Sequence, residues 1–222
     1  MNKTGINRQA VVLCPWPNHV MMTIMPIKPR APATRTRKEI THNRIVDVAA
    51  RAIRRSGYSG TGVAEIMKEA GLTHGGFYAH FPCREAMLVE AAEHAGAEAV
   101  AATAKIASSA PPEHALQAIL NAYLSKAHLE AVETGCPVAA LGSEMPRQAP
   151  QVRRAATRSI KEMVDLIARQ SPDWGQPGAH EHALVTVATL VGTLILARAV
   201  DDAGFSDALI KATLAHLAPT SN

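Results

Sequence analysis

The chain has 222 residues, among which alanine, leucine and valine dominate and only 4% are aromatic, so we expect an all-helical protein with a proper hydrophobic core. Its three cysteines, Cys14, Cys83 and Cys136, are odd in number and far apart, which argues against a disulfide framework or a zinc knuckle and for a reducing compartment, the cytoplasm. Residues 1–80 carry 12 Lys and Arg against 4 Asp and Glu, and residues 81–222 carry 11 against 15. A basic front and an acidic rear indicate two tasks, with the front facing a polyanion, unless the charges simply fall unevenly over a solvated surface.

Residues 1–35 are predicted to be a disordered, basic, proline-rich extension, because they contain five prolines and show no helical period. Their apolar patches are too short and too broken for a signal peptide or a membrane span. Met21, Met22 and Met25 offer internal starts, and we hypothesise that the native protein begins there, without residues 1–24. Mass spectrometry of the native N-terminus tests this hypothesis, and an intact Met1 would refute it.

A helix-turn-helix domain is predicted over residues 36–83. The first helix has apolar residues at helical spacing and closes at Gly57, which can take the left-handed conformation that ends a helix; its apolar positions are Ile45, Val48, Ala49, Ala52 and Ile53. A second helix begins at Val63 and stops at Gly71, and Thr73 is a plausible N-cap for a third helix that runs to about His80. Two short helices joined by a three-residue turn that contains glycine are typical of this motif.

Two adjacent glycines, Gly75 and Gly76, stand at the start of that third helix, where each costs about 1 kcal/mol against alanine. A recognition helix enters the DNA major groove by its N-terminal residues, and glycine there lets the backbone approach the bases closely. Packing by Phe77 and Phe81 would offset the cost. The alternative is that the two glycines form a loop.

The stretch "RIVDVAARAIRRSGYSGTGVAEIMKEAGLTHGGFYAHFPCREAMLVEA" resembles the N-terminal DNA-binding domain of the tetracycline-repressor (TetR/AcrR) family of bacterial transcription regulators. The resemblance covers residues 39–92 and rests on four motifs that occur in order at the family's spacing, namely G-Y-x-G-T-G-V, E-A-G-L-T, F-Y-x-H-F and R-E-A-M-L. Residues 93–222 resemble the family only in length and helical architecture. The resemblance implies a dimer that binds a palindromic operator on double-stranded DNA, with its recognition helices in major grooves about 34–36 Å apart.

The resemblance also implies the DNA-binding residues. Thr73, His74 and Gly75 match positions that contact base edges, while Thr61, Tyr78 and His80 match positions that contact phosphates, although the latter two also suit ordinary packing. Arg84, at the start of the fourth helix, is expected against the DNA backbone. The full expected set is Arg44, Thr61, Gly62, Thr73, His74, Gly75, Gly76, Tyr78, His80 and Arg84. Gly62 and Cys83 depart from the family, because a Ser, Thr or Asn often caps the following helix at these two positions.

Residues 84–218 are predicted to form a helical effector-binding and dimerisation domain. Apolar periodicity indicates a long fourth helix over residues 88–106, a helix over 116–127, a break rich in glycine and proline over 133–150, and a helix over 152–167. The candidate effector pocket has apolar walls with a few polar groups; its members are Tyr123, His128, Met145, Met163 and Ile167. Ordinary core packing is the alternative for each of them, and Cys136 is expected to be an unreactive buried thiol because no Lys or Arg stands next to it.

The run from His182 to Val200 is apolar almost all round, and only residues 183–197 are strictly uncharged, so we expect it to fall short of a membrane span. A subunit interface suits it better, and the resemblance implies a four-helix bundle formed by the last two helices and their twins. Two helices packed within one monomer are the alternative. The predicted interface residues are Leu184, Ala188, Val191, Gly192, Ile195, Ala199, Leu209 and Leu214.

An enzyme is not expected, because the sequence contains no G-x-S-x-G, Walker A, H-E-x-x-H or dinucleotide-binding pattern. His180 and His182 point about 200° apart on a helix, so no metal site is expected there, and no cofactor is implied. The sequence therefore predicts a DNA-binding regulator, a ligand-responsive repressor released by a small molecule. A helical interaction protein that does not bind DNA and an activator of the same fold are the alternatives.

Overall fold

The structure is a computed structural model that describes residues 35–218, so the predicted extension lies almost wholly outside the described residues. Within that range the chain contains no strand, which confirms the all-helical prediction. Residues 35–218 form nine α-helices: α1 Arg37–Ser56, α2 Val63–Glu69, α3 Arg84–Ser109, α4 Ala115–Tyr123, α5 Lys126–Glu130, α6 Pro137–Leu141, α7 Pro150–Gln170, α8 Ala179–Ala199 and α9 Ala203–Leu217. The 3-10 helices are His74–Ala79, Pro112–His114 and Met145–Arg147. We call residues 36–83 the head and residues 84–218 the body.

Helix α1 is defined at both ends by its own sequence. Thr36 and Glu39 form a capping box, in which the Thr36 hydroxyl accepts from the Glu39 backbone N–H at 3.2 Å and the Glu39 carboxylate accepts from the Thr36 N–H at 2.7 Å. Gly57 ends the helix with a φ of 74°, a conformation that costs glycine little. The predicted first helix is therefore present with its expected end.

The head is built around one apolar core to which α1, α2, the 3-10 helix His74–Ala79 and the start of α3 all contribute. Its largest buried side chains are Ile45, Ile53, Tyr58, Ile66, Met67, Phe77, Phe81 and Met87. The predicted third helix is present over His74–Ala79, and it is a 3-10 helix rather than an α-helix. Two glycines weaken that segment, and the Thr73 side chain makes no capping hydrogen bond, so the chain takes the tighter 3-10 form.

The body is organised by α3, a 26-residue helix that packs against α1 in the head and along α7 in the body. Helix α8 packs between α7 and α9. The helix predicted over residues 116–127 is two helices, because α4 ends at Tyr123 and Ser125 caps α5 by accepting from the His128 N–H at 3.2 Å. The core of the head continues into the body through Leu141 and Val152, which are each 1% exposed.

Helix α8 differs from its prediction in one respect. By length and composition its 21 residues are sufficient to cross a membrane, so the expectation that this segment falls short was too strict. A core helix of a soluble protein passes the same test, and α8 buries Leu190 and Leu194 against its neighbours. Packing within the body therefore accounts for part of its apolar surface.

Candidate DNA-binding surface and ligand cavity

Residues 73–80, which we call the recognition segment, expose polar side chains above an aromatic base. Thr73, His74 and Gly75 are exposed, and the Tyr78 side chain is 69% exposed. Phe77 and Phe81 are each 1% exposed, and their rings stack with centroids 5.4 Å apart. These two rings hold the segment on the head while the side chains around them face outward.

The interior of the protein does not require glycine at position 75. Among the described residues, a Cβ added to Gly75 would meet no heavy atom within 4 Å, and one added to Gly76 would lie in ordinary contact with Met67 Cε at 3.6 Å and Thr73 Oγ1 at 3.7 Å. Glycine is costly in a helix, and no contact among the described residues requires it here.

Thr61 is placed differently from its predicted role at a phosphate. Its side chain is 4% exposed, and its hydroxyl donates to the Gly57 carbonyl at 2.7 Å, so that hydroxyl is unavailable to DNA. Thr61 instead shapes the turn between α1 and α2. Gly62, the exposed N-cap of α2, contributes no side-chain cap, as its residue type dictates.

Arg84 is likewise a structural residue in this conformation rather than the predicted phosphate ligand. Its Nε and Nη2 donate to the Thr61 carbonyl at 3.3 and 3.1 Å, and Nη2 also donates to the Tyr58 carbonyl. Arg84 thereby ties α3 to the loop that leads into α2. Arg44 is exposed, and its Nη1 donates to the Ala70 carbonyl at 3.3 Å, which places it beside the turn that precedes the recognition segment.

His80 is a half-buried ring at the end of the recognition segment. Its Nδ1 is buried and has no hydrogen-bond partner among the described residues, and the ring lies 5.8 Å from that of His42. Burial lowers the pKa of His80, and the positive potential of His42 and Lys38 lowers it further. A neutral imidazole is a weaker phosphate ligand than an imidazolium, so packing explains more of His80 than charge does.

The body contains two adjoining cavities between α3, α4 and α7. The inner slot encloses ≈ 50 Å³, and the outer cavity encloses ≈ 330 Å³. The larger value lies within the range of small-molecule sites in proteins. Six residues line both spaces: Ala99, Thr103, Ile119, Tyr123, Cys136 and Met163.

Four of the five predicted pocket residues line these cavities. Tyr123 and Met163 face both, Ile167 lines the inner slot, and His128 lines the outer cavity. The fifth, Met145, lines neither of them and packs against the core of the head instead. The prediction for Met145 failed because α6 and the following 3-10 helix carry the chain back towards α1, which the sequence pattern does not reveal.

His128 is fixed by two backbone groups. Its Nε2 accepts from the Cys136 N–H at 3.0 Å, so its Nδ1 carries the proton and donates to the Tyr123 carbonyl at 2.6 Å. Burial lowers the pKa of His128, which keeps the ring neutral near pH 7. Both ring nitrogens are therefore already used, and a ligand would meet the carbon edge of the ring.

Two polar groups near the cavity lack partners. The Tyr123 hydroxyl and Nη1 of Arg198 are buried without a hydrogen bond among the described residues. Nε and Nη2 of Arg198 donate to the Leu129 and His128 carbonyls at 2.9 and 2.7 Å. Sequence reasoning missed Arg198, because it lies 62 positions beyond Cys136 and only the fold brings its charge to that thiol.

The predicted dimer surface is partly exposed. On α8, Leu184 and Ile195 are 48% and 41% exposed, and Ala188 and Ala199 are also exposed. Val191 instead lines the inner slot. Leu214 packs against the core around Leu190 and Leu194. Gly192 and Leu209 are half-buried. Three exposed apolar residues were missed, namely Val185, Leu196 and Phe205.

A helical head with an exposed recognition segment, joined to a helical body with an internal cavity, defines the class of helix-turn-helix transcription regulators. The chain belongs to the tetR family of bacterial regulatory proteins, whose DNA-binding domain matches residues 45–91. Residues 112–207 match a second family, described as transcriptional regulator LmrA/YxaF-like, C-terminal domain. The chain is thus a DNA-binding transcription regulator, and its family is one of regulators rather than enzymes.

Individual relatives agree with this assignment. An uncharacterized HTH-type transcriptional regulator of Mycobacterium tuberculosis, Rv0196, is 34% identical over 164 residues, which are 70% of this chain and 82% of the relative. The HTH-type transcriptional regulator LmrA of Bacillus subtilis is 26% identical over 162 residues, which are 70% of this chain and 85% of the LmrA chain. The crystal structure of a TetR-family regulator from Agrobacterium tumefaciens shares the fold, with a TM-score of 0.68, 22% identity, and coverage of 81% of this chain and 98% of that one.

Proposed function

We propose that this regulator is a ligand-responsive repressor that binds a palindromic operator as a homodimer and is released by a small molecule. Residues 36–83 bind the DNA, residues 84–218 hold the ligand and the second subunit, and the protein acts in the cytoplasm without a membrane partner. The observation that supports the proposal most directly is a set of contacts between the wall of the outer cavity and the end of α1.

The central contact of this set is made by Arg54, which is 3% exposed at the end of α1. Its Nη1 donates to the Gly135 carbonyl at 3.4 Å, and its Nη2 pairs with Glu98 of α3 at 2.8 Å. Gly135 belongs to residues 131–136, which we call the wall loop, because Ala131, Thr134, Gly135 and Cys136 line the outer cavity. One buried guanidinium therefore contacts the cavity wall from the DNA-binding head.

One further contact joins the wall loop to the end of α1, and another joins the chain just after α1 to Glu144 of the body. Arg55 pairs with Glu133 of the wall loop at 3.3 Å. Glu144 accepts from the Tyr58 backbone N–H at 3.0 Å, just after α1 ends. Burial, followed by the charge of Glu144, raises the pKa of Tyr58 to about 12. A displacement of the wall loop would therefore move the end of α1, and α1 packs on the helices that carry the recognition segment.

The proposed mechanism has two states. A ligand that binds better to the conformation with mis-spaced recognition segments lowers operator affinity by that same difference in affinity. The ligand enters the outer cavity, displaces the wall loop, and acts on the head through Arg54 and Arg55. These contacts join the wall loop to the head directly, so no intermediate element is needed to transmit the displacement.

The dimer is proposed to form through the exposed apolar face of α8 together with α9. Val185 is 61% exposed, and Leu196 and Phe205 are each 54% exposed, so a lone subunit leaves large side chains in water. Regulators of this family act as dimers, and a two-fold axis through such a face pairs it with itself. Two recognition segments about 34–36 Å apart would then meet successive major grooves.

At the DNA, Thr73, His74 and Gly75 are proposed to contact base edges and Tyr78 a phosphate, because these residues are exposed on the recognition segment. Arg44 lies beside them, and Gly76 adds no side chain that would hold the backbone away from the DNA. Thr61, Gly62 and Arg84 are proposed to act by fixing the loop before α2, as their hydrogen bonds support for Thr61 and Arg84.

Selection of bound duplexes from a random pool tests the proposal. We expect an inverted repeat, an affinity that falls steeply with salt because lysine and arginine displace counterions from phosphates, and lower transcription in vitro from a promoter that overlaps the repeat. A pool that yields no motif, or a motif without two-fold symmetry, would refute the palindromic operator. A promoter that is stimulated instead would make the regulator an activator.

A further inference from the structure

We propose that the ligand is an apolar molecule with one hydrogen-bond-accepting oxygen, such as a ketone, and that the Tyr123 hydroxyl donates to this oxygen. This inference rests on the proposed effector cavity and names the chemistry that the cavity selects. It follows from the lining of the cavity, from one buried hydroxyl of that lining that has no oxygen or nitrogen partner among the described residues, and from the charge nearby.

The lining selects an apolar body. The side chains around the inner slot are mostly aliphatic, and they include Val100, Ile160, Ile167, Val187 and Leu190. The outer cavity has room for a two-ring molecule, at ≈ 330 Å³. The slot of ≈ 50 Å³ accepts only a small substituent.

Most polar side chains in the lining are already engaged. Thr103 donates to the Ala99 carbonyl at 2.9 Å, and Ser125 donates to the Ala122 carbonyl at 2.8 Å. Ser159 donates to the Ala156 carbonyl at 3.0 Å, and both nitrogens of His128 are used by the backbone. These side chains already have hydrogen-bond partners within the protein, so they do not require one from a ligand.

The Tyr123 hydroxyl is the exception. It is buried, it has no oxygen or nitrogen partner among the described residues and only the weakly accepting Cys136 thiol beside it, and the tyrosine lines both cavities where they adjoin. Burial, and then the neighbouring Cys136, raise the pKa of Tyr123, so the phenol stays protonated and acts as a donor. A buried donor without a partner is unfavourable, and a ligand oxygen would satisfy it.

The charge nearby distinguishes acceptors from cations. Arg198 interacts electrostatically with both Tyr123 and Cys136, and no carboxylate pairs with it in the part of the chain that the structure describes. Its positive potential favours an oxygen with partial negative charge and disfavours an ammonium group. The cavity therefore selects by a hydrogen bond and by the sign of charge together.

Three naphthalenes of similar size test the proposal on the purified full-length protein without DNA. 2-Acetylnaphthalene carries a ketone, 2-isopropenylnaphthalene replaces its oxygen by CH₂, and 2-naphthylmethylammonium carries a cation. Isothermal titration calorimetry should give the ketone a dissociation constant about tenfold lower than that of the alkene, with the ammonium weakest. Tyr123→Phe should reduce the difference between ketone and alkene to within about twofold, whereas Ser108→Ala, which removes a hydroxyl from an exposed position of α3 outside both cavities, should preserve it.

Equal affinities of ketone and alkene for the native protein would overturn the proposal, and so would tighter binding of the ammonium or no binding of any probe. An unchanged difference in Tyr123→Phe would also overturn it. The comparison on the native protein stands even if that variant does not fold. Because DNA is absent, a failure here leaves the operator selection unaffected, and a failed operator selection leaves this result standing.

Discussion

Replacing Gly75 by leucine separates the stability of the head from its contact with DNA. A Cβ at this position has no neighbour within 4 Å among the described residues, and Gly75 is exposed, so we expect the leucine side chain to lie largely in solvent. Removing a glycine from a helical segment is worth up to about 1 kcal/mol, which for a chain of this size raises the melting temperature by about 2–4 °C at most. We therefore expect a folded variant with a melting temperature equal to or slightly above that of the native protein.

Its DNA binding should suffer, because the new side chain holds the backbone away from the base edges. Loss of one base contact costs about 1–3 kcal/mol, and a symmetric dimer loses it twice, which weakens operator binding by about thirtyfold to twenty-thousandfold. Fluorescence anisotropy with the selected operator and with a scrambled duplex measures this change. Ala101→Leu, which adds the same side chain to an exposed position of α3, is the matched control and should bind normally. Operator affinity within twofold of native in folded Gly75→Leu would refute the reasoning.

The remaining predictions concern the body and its contacts. Arg54→Met should lower the free energy of unfolding in urea by about 1–2 kcal/mol. The loss stays this small because the Glu98 side chain is 47% exposed and is hydrated by water once its partner is gone. Arg51→Met is the control, and an equal loss of stability in both variants would argue against a special role for Arg54. Leu196→Asp should leave a monomer in analytical ultracentrifugation, whereas Ala97→Asp, on exposed α3 surface, should remain dimeric; a dimeric Leu196→Asp would remove α8 from the interface. His128, whose pKa is lowered by burial, contributes stability that is present above its unfolded pKa of about 6.5 and lost as the pH falls through the lower folded pKa. The melting temperature should therefore drop less between pH 7.5 and 5.5 in His128→Gln than in the native protein or in His216→Gln, and parallel curves would contradict this.

Local signals in the sequence were sufficient to place most of the head. The apolar period of α1, the glycine at position 57 and the motif around Gly71 depend on near neighbours in the chain, and the structure confirms all three features. The 3-10 form of the recognition segment was not predictable in this way, because the stacking of Phe77 on Phe81 stabilises a segment whose own residues favour no helix strongly.

Features that depend on contacts between distant parts of the chain could not be predicted from the sequence. Thr61 and Arg84 have the residue types of phosphate ligands, but backbone carbonyls take up the Thr61 hydroxyl and the Nε and Nη2 donors of Arg84. Arg198 comes near Tyr123 and Cys136 only after α8 has packed against α5. Helix α8 is apolar on all sides, so its periodicity does not indicate which face is exposed, and Val185 and Leu196 went unnoticed for that reason.

Dimethyl sulfate protection on the selected operator tests most directly whether two recognition segments enter successive major grooves. The reagent methylates guanine N7 in the major groove and adenine N3 in the minor groove, so it reports which groove is covered. We predict protected guanines in two patches about 34–36 Å apart, present with the native protein and absent with Gly75→Leu. Protection of adenines alone, or of a single patch of guanines, would contradict the account.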